Sequence, residues 1–178
     1  MRRQLLLIVL IGMAPVIASY VAYYVLPRDK QVNYGTLHAT AAPPVAGERL
    51  DGTRFSLDDL KGKWVIVSAS GGECDARCTS ELYASRQART IQNAERERVQ
   101  RVWVVTDAAP PSPSLLSEHP DLLAVRASPA TVAALPSAGR DIYLVDPRGN
   151  LVLSWPADPD IKRMAADLAR LLRASSIG

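Results

Sequence analysis

The chain has 178 residues, 48% of them hydrophobic, which supports one domain with a real core and leaves too little for two. Its net charge is +3, with 21 basic against 18 acidic residues. The arginines are spread along the chain and no basic, aromatic face is visible, which argues against a nucleic-acid partner.

Residues 1–4 carry Arg2 and Arg3. Leu5 to Leu26 then runs without a charged residue, the length of a bilayer-spanning helix. Pro15 falls inside it, which a membrane helix tolerates. Tyr20, Tyr23 and Tyr24 lie toward one end, where an aromatic belt belongs. The basic N-terminal flank predicts a cytoplasmic N-terminus and an external C-terminal domain. A cleaved signal peptide competes, but its apolar region is shorter and Ala18-Ser19 offers a cleavage site only in mid-span. Arg2-Arg3 also has some likeness to a twin-arginine signal, against the plainer reading of an ordinary basic flank. Either way the soluble part lies where disulfides persist.

Residues 27–47 read as a linker, rich in small residues and interrupted by Gly35, Pro43 and Pro44. The domain is expected from 48 to 178. Asp51-Gly52 between apolar residues predicts a hairpin. Trp64 to Ala69 is a continuous, mostly apolar run rich in β-branched residues, the pattern of a strand buried on both faces. Asp75 to about Gln100 lacks Gly and Pro and keeps rough helical spacing through Leu82, Ala84, Ala88 and Ile91. Arg101 to Asp107 predicts a second buried strand, and Ala108 to Ser114 a proline-rich loop. A short strand at Leu122 to Val125 and a short helix at Ala130 to Leu135 follow. Ile142 to Asp146 and Leu151 to Trp155 flank a Pro147-Arg148-Gly149-Asn150 turn. Ile161 to Ala174 closes the chain as an amphipathic helix. Strands alternating with helices and ending in a hairpin predict an α/β sandwich.

Cys74 and Cys78 are the only cysteines and fall between the first buried strand and the long helix. A thiol at a helix N-terminus has its thiolate stabilised. Cys74 is expected at or just before the first turn and Cys78 one turn on, with both sulfurs on one face. That separation suits a disulfide. The loop closed is tiny, so the bridge adds little stability, which favours exchange over stapling. Arg77 favours a thiolate; Glu73 and Asp75 oppose it. Two thiolates also suit copper(I), with His38 and His119 the only histidines available as a third ligand. Their plainer reading is as solvated side chains of a linker and a loop.

These residues resemble the thioredoxin-like superfamily, and within it the SCO/SenC copper chaperones of cytochrome c oxidase. The resemblance rests on the stretch from Phe55 to Val65, on Cys74 and Cys78 after a strand, and on Ile142 to Asn150. Asn33-Tyr34-Gly35, Leu82 to Gln87, Val102 to Val105 and Leu171 to Gly178 are similar, more narrowly, to small anchored proteins encoded beside cytochrome oxidase genes in proteobacteria. The resemblance implies a thioredoxin-like three-layer sandwich: a central mixed sheet with helices on both faces, preceded by one N-terminal transmembrane helix. It implies an inner-membrane, single-pass protein with a periplasmic domain.

The chain departs from the family where SCO proteins carry a copper-ligating histidine, because Pro136 to Asp141 holds none. Arg140-Asp141 stands where thioredoxins place a cis-proline. Gly71 stands where peroxide-reducing members place a threonine. The leading expectation is a thiol–disulfide protein that assists copper-site maturation of cytochrome c oxidase, with subunit II the expected partner. Cys74 would attack, Cys78 would resolve, and no cofactor would be required. The alternatives are a copper(I) metallochaperone with Cys74 and Cys78 as metal ligands, and a non-catalytic scaffold of the same fold.

Overall fold

The computed structural model describes residues 2–24, 33–175 and 177. Two compact units result, divided between Val32 and Asn33. The first contains one helix, α1 (Arg2–Tyr24), with Pro15 inside it. Among the described residues no helix is long and apolar enough to cross a membrane. Val25 and Leu26 of the expected anchor, and residues 27–32 of the expected linker, lie outside the described residues.

The second unit is built on eight strands: β1 (Thr36–Ala41), β2 (Ala46–Arg49), β3 (Arg54–Ser56), β4 (Trp64–Ser70), β5 (Val99–Val105), β6 (Leu122–Ala127), β7 (Ile142–Val145) and β8 (Asn150–Trp155). They form one mixed sheet in the order β1-β8-β7-β4-β5-β6-β2-β3. The pairs β4–β5 and β5–β6 are parallel and the rest antiparallel. Every residue of β4 is buried, as expected of a strand covered on both faces.

α2 (Ala76–Thr90) and α5 (Ile161–Ala174) cover one face. Ala84, Ala88, Met164, Leu168 and Leu172 pack there on Trp64, Ile66, Leu144 and Trp155. The opposite face buries Val65, Val67, Val102, Val104 and Tyr143 beneath Leu57, Leu135 and Val132, the last from α4 (Pro129–Ala133). The α/β sandwich expected from the alternation of elements is therefore present.

Three expectations need correction. The domain begins at Asn33, not Glu48, because the segment expected as linker supplies β1 and the first half of β2. β1 is an edge strand with all but one residue exposed, so it pairs through its backbone and needs no apolar period. Tyr34 and Gly35 are tied down as well, donating their N–H groups to the buried Asp167 carboxylate of α5 at 2.8–3.1 Å.

The long helix stops at Thr90, not near Gln100. Asn93 adopts a left-handed φ of 54°, a 3₁₀ turn follows over Asn93–Arg98, and β5 starts at Val99. Neither Gly nor Pro marks that break; an asparagine, the non-glycine residue that best tolerates this conformation, does. Finally, the loop after β5 contains α3 (Pro113–Glu118). Its signal was present in Ser112-Pro113: a serine cap, accepting from the Leu115 N–H, followed by proline at the first helical position.

Candidate redox site

β4 ends at Ser70 and delivers the chain to a tight turn, with the Cys74 N–H donating to the Gly71 carbonyl at 3.1 Å. Cys74 has φ of 53°, in the left-handed region. Asp75 caps α2, its side chain accepting from the Cys78 N–H at 2.9 Å. Cys74 therefore precedes the cap, outside the helix, while Cys78 lies in the first turn. The bridge joins a turn residue to a helical one. This corrects the expectation of two sulfurs on one helical face: the left-handed turn, not helical spacing, brings the Cα atoms to 5.0 Å.

The two sulfurs are joined in a disulfide. They differ in access. Cys78 is wholly buried, in a cluster with Leu82, Trp103, Val105 and Ala124. Cys74 is half-buried, with Thr79 Oγ1 at 3.9 Å from its sulfur. An incoming thiolate meets Cys74 first.

The glycines before the pair are dictated by space. A Cβ on Gly72 would stand 1.8 Å from the Ala109 carbonyl oxygen, and one on Gly71 2.5 Å from Asp107 Oδ2. The Gly72 N–H donates to Asp107 Oδ1 at 2.8 Å, so the loop after β5 is packed flush against the cysteine turn.

Arg77, between the cysteines, reaches the Arg140 carbonyl at 3.4 Å and the Ala69 carbonyl at 3.5 Å. Through it, the segment Pro136 to Asp141 meets α2. That segment turns on the left-handed residues Ser137, Ala138 and Gly139 and is held by the Tyr143 hydroxyl, which donates to the Pro136 carbonyl. One turn beyond Cys78, Glu81 is 1% exposed and pairs with Arg77 at 3.3 Å. Burial pushes its carboxyl up to about 7; Arg77 pulls the other way, while Asp75 and Asp141 add to the rise. Sequence reasoning missed Glu81 and Asp107. The signal for Glu81 was its position three residues after Cys78, on the same helical face.

The histidines do not join the pair. The His38 ring, on β1, bonds the Ser154 hydroxyl at 2.9 Å. His119 is not the solvated loop side chain expected: it follows α3, is 4% exposed, and burial followed by the charges of Arg101 and Arg86 lowers its pKa. Among the described residues no group of three or more His, Cys, Asp or Glu side chains is placed to hold a metal. The site offers copper(I) two sulfurs, and only once the bridge is reduced.

A family model described as transmembrane-like, thioredoxin-like, C-terminal domain matches residues 64–175. Among curated proteins none matches the chain. Among solved structures, copper-bound yeast Sco1 superimposes with a TM-score of 0.65 at 20% identity, over 78% of this chain and 96% of that one. Apo Sco1 from Thermus thermophilus gives 0.62 at 22% identity, over 82% and 98%. The thioredoxin domain of a thiol-disulfide oxidoreductase from Bacteroides vulgatus gives 0.54 at 22% identity, over 76% and 99%. The fold is thioredoxin-like.

Proposed function

The chain belongs to the transmembrane-like, thioredoxin-like, C-terminal domain family, and on that footing we propose that it is a membrane-anchored periplasmic thiol–disulfide protein that assists copper-site maturation of cytochrome c oxidase. One observation carries the reading: a lone disulfide at a helix N-terminus with one sulfur accessible and the other sealed. The uncharged run from Leu5 to Leu26 supports the anchor, and Arg2 and Arg3 ahead of it support a periplasmic domain.

In the reducing direction the Cys74 thiolate attacks one sulfur of a disulfide in the partner, with subunit II proposed. The partner's S–S bond breaks, a mixed disulfide forms and one partner thiolate leaves. Cys78 then loses its proton and attacks the Cys74 sulfur, releasing the second partner thiolate. Two electrons have moved to the partner, the released thiolates take up protons, and the Cys74–Cys78 bridge is re-formed. A dithiol donor must reduce the bridge before the next cycle. The positive end of the α2 dipole favours the attacking thiolate, against the carboxylate of Asp75 that caps that end.

Titration of the thiols against glutathione tests this. Reversible oxidation to one intramolecular bridge is expected, with oxidase activity lost in Cys74→Ser. A pair that never re-oxidises, together with full oxidase activity in Cys74→Ser, would overturn it.

Copper(I) carriage is the second reading, favoured by the likeness to a yeast protein whose solved structure holds copper. Copper would be cargo, held by Cys74 and Cys78 with the remaining ligand supplied by the partner. Anaerobic loading of the reduced chain separates the readings: one copper kept against a mild chelator supports carriage, and none retained excludes it.

A further inference from the structure

Asp107 lies two residues past the end of β5 and contains no sulfur chemistry of its own, yet one of its oxygens serves two loops. Oδ1 accepts the Gly72 N–H at 2.8 Å and the Ala109 N–H at 3.2 Å. The first bond reaches the turn that ends at Cys74; the second closes the turn of its own loop. A Cβ on Gly71 would come within 2.5 Å of Oδ2, and one on Gly72 within 1.8 Å of the Ala109 carbonyl oxygen. The backbone of Gly71-Gly72 is thus gripped between a carboxylate and a peptide. Cys74 hangs from this turn by its N–H bond to Gly71 and sits in the left-handed region, which a non-glycine residue keeps only when its surroundings hold it there.

Disulfide re-formation depends on how often the two thiols meet. Cys78 is fixed in a buried helical turn. Cys74 is the partner that an unbraced turn would release, because nothing helical holds it. Restraining one reactant beside the other raises its effective concentration and hence the stability of the bridge relative to the dithiol.

We propose that Asp107 is a positioning residue for Cys74: through the Gly72 N–H it braces the turn when the bridge is open and so sets the equilibrium between dithiol and disulfide. This rests on the thiol-exchange reading above. It adds a residue that touches neither sulfur and acts through the backbone.

A purely structural Asp107 would stabilise the oxidised and reduced folds alike and leave the thiol–disulfide equilibrium constant unchanged. The test is that constant, measured against glutathione on the full-length chain in detergent micelles for wild type, Asp107→Ala and Asp107→Asn. The alanine variant is expected to shift it about tenfold toward the dithiol, the scale of losing charge-assisted hydrogen bonds. Asn keeps the acceptor and is expected to stay within about threefold of wild type. An alanine variant equal to wild type overturns the brace, and so does an asparagine variant that falls as far as alanine. Should the alanine protein fail to fold, amide exchange of wild-type Gly72 decides: protection that survives reduction supports the brace, and protection lost on reduction overturns it. A wild-type pair that never re-oxidises in glutathione overturns the exchange reading itself. Exchange by wild type with an unmoved constant in Asp107→Ala removes only this inference.

Discussion

Arg77 and Glu81 form an ion pair across one turn of α2, at 3.3 Å, with the carboxyl sealed from solvent and the guanidinium partly exposed. Among the described residues Glu81 Oε1 accepts no hydrogen bond, and its contact with Arg77 is an ion pair alone. A buried acid so poorly satisfied is held closer to its neutral form, and burial outweighs the attraction of Arg77.

Glu81 should therefore make stability depend on pH in a definite direction. Its pKa in the fold, about 7, lies above its ordinary value of 4.5. Its contribution is fully present below about 4.5 and is lost as pH rises through about 7. Glu81→Gln should match wild type near pH 4 and exceed it at pH 8, by up to roughly 3 kcal/mol. Urea unfolding at the two pH values measures this; parallel curves for the two proteins would rule it out.

Asp167 ties Tyr34 and Gly35 to α5. Besides the Tyr34 and Gly35 N–H groups it accepts from the Trp155 indole at 3.1 Å and pairs with Arg170 at 3.3 Å. Asp167→Ala leaves these donors, the buried Trp155 indole among them, without their acceptor and should cost about 3 kcal/mol. Limited proteolysis should then cut ahead of β1 sooner than in wild type. Unchanged cleavage and an unchanged denaturation midpoint would contradict this role.

Arg101 is a buried cation in the middle of β5's parallel pairing. It donates to Leu82 O at 2.7 Å and Ser85 Oγ at 3.1 Å, and pairs with Asp121 at 3.2 Å. Burial brings its pKa down to about 10. Asp121→Ala strands the charge and should cost about 3–5 kcal/mol. Asp121→Asn, which keeps an acceptor, should cost less. Chemical denaturation of both variants is the check, and equal losses would assign the effect to packing instead of charge.

Gly72→Ala places a methyl group where the Ala109 carbonyl oxygen already is, at 1.8 Å. The oxygen is backbone and a Cβ is fixed by the backbone that bears it, so neither side can yield by a rotamer change. The variant should lose roughly 2 kcal/mol or more. Its reduced form should also re-oxidise more slowly than wild type, read by thiol trapping over time. Wild-type rates in this variant would show that the loop contact has no bearing on the pair.

Much of the architecture was legible because burial leaves a trace in composition. β4 and β5 announced themselves as apolar runs, the β7–β8 hairpin by Pro147 to Asn150, and α5 by its apolar stripe at the observed bounds. β1 left no trace, since an exposed edge strand is held by backbone bonds to β8 and its side chains report nothing. The end of α2 was hidden for a related reason: Asn93 is an ordinary polar residue until the structure shows its left-handed φ.

The sequence alone determined that two cysteines would lie between a buried strand and a helix, in a domain with one core, and that no histidine would stand in Pro136 to Asp141. Those facts depend on residue identity and local spacing. Tertiary structure decided which sulfur is sealed and which is approachable, and that Cys74 stands outside the helix on a left-handed turn. It also brought Asp107, from the loop after β5, against the turn that carries Cys74. That contact joins segments 35 residues apart in the chain. Such contacts form only when the sheet brings the ends of β4 and β5 together, so no local pattern could carry them.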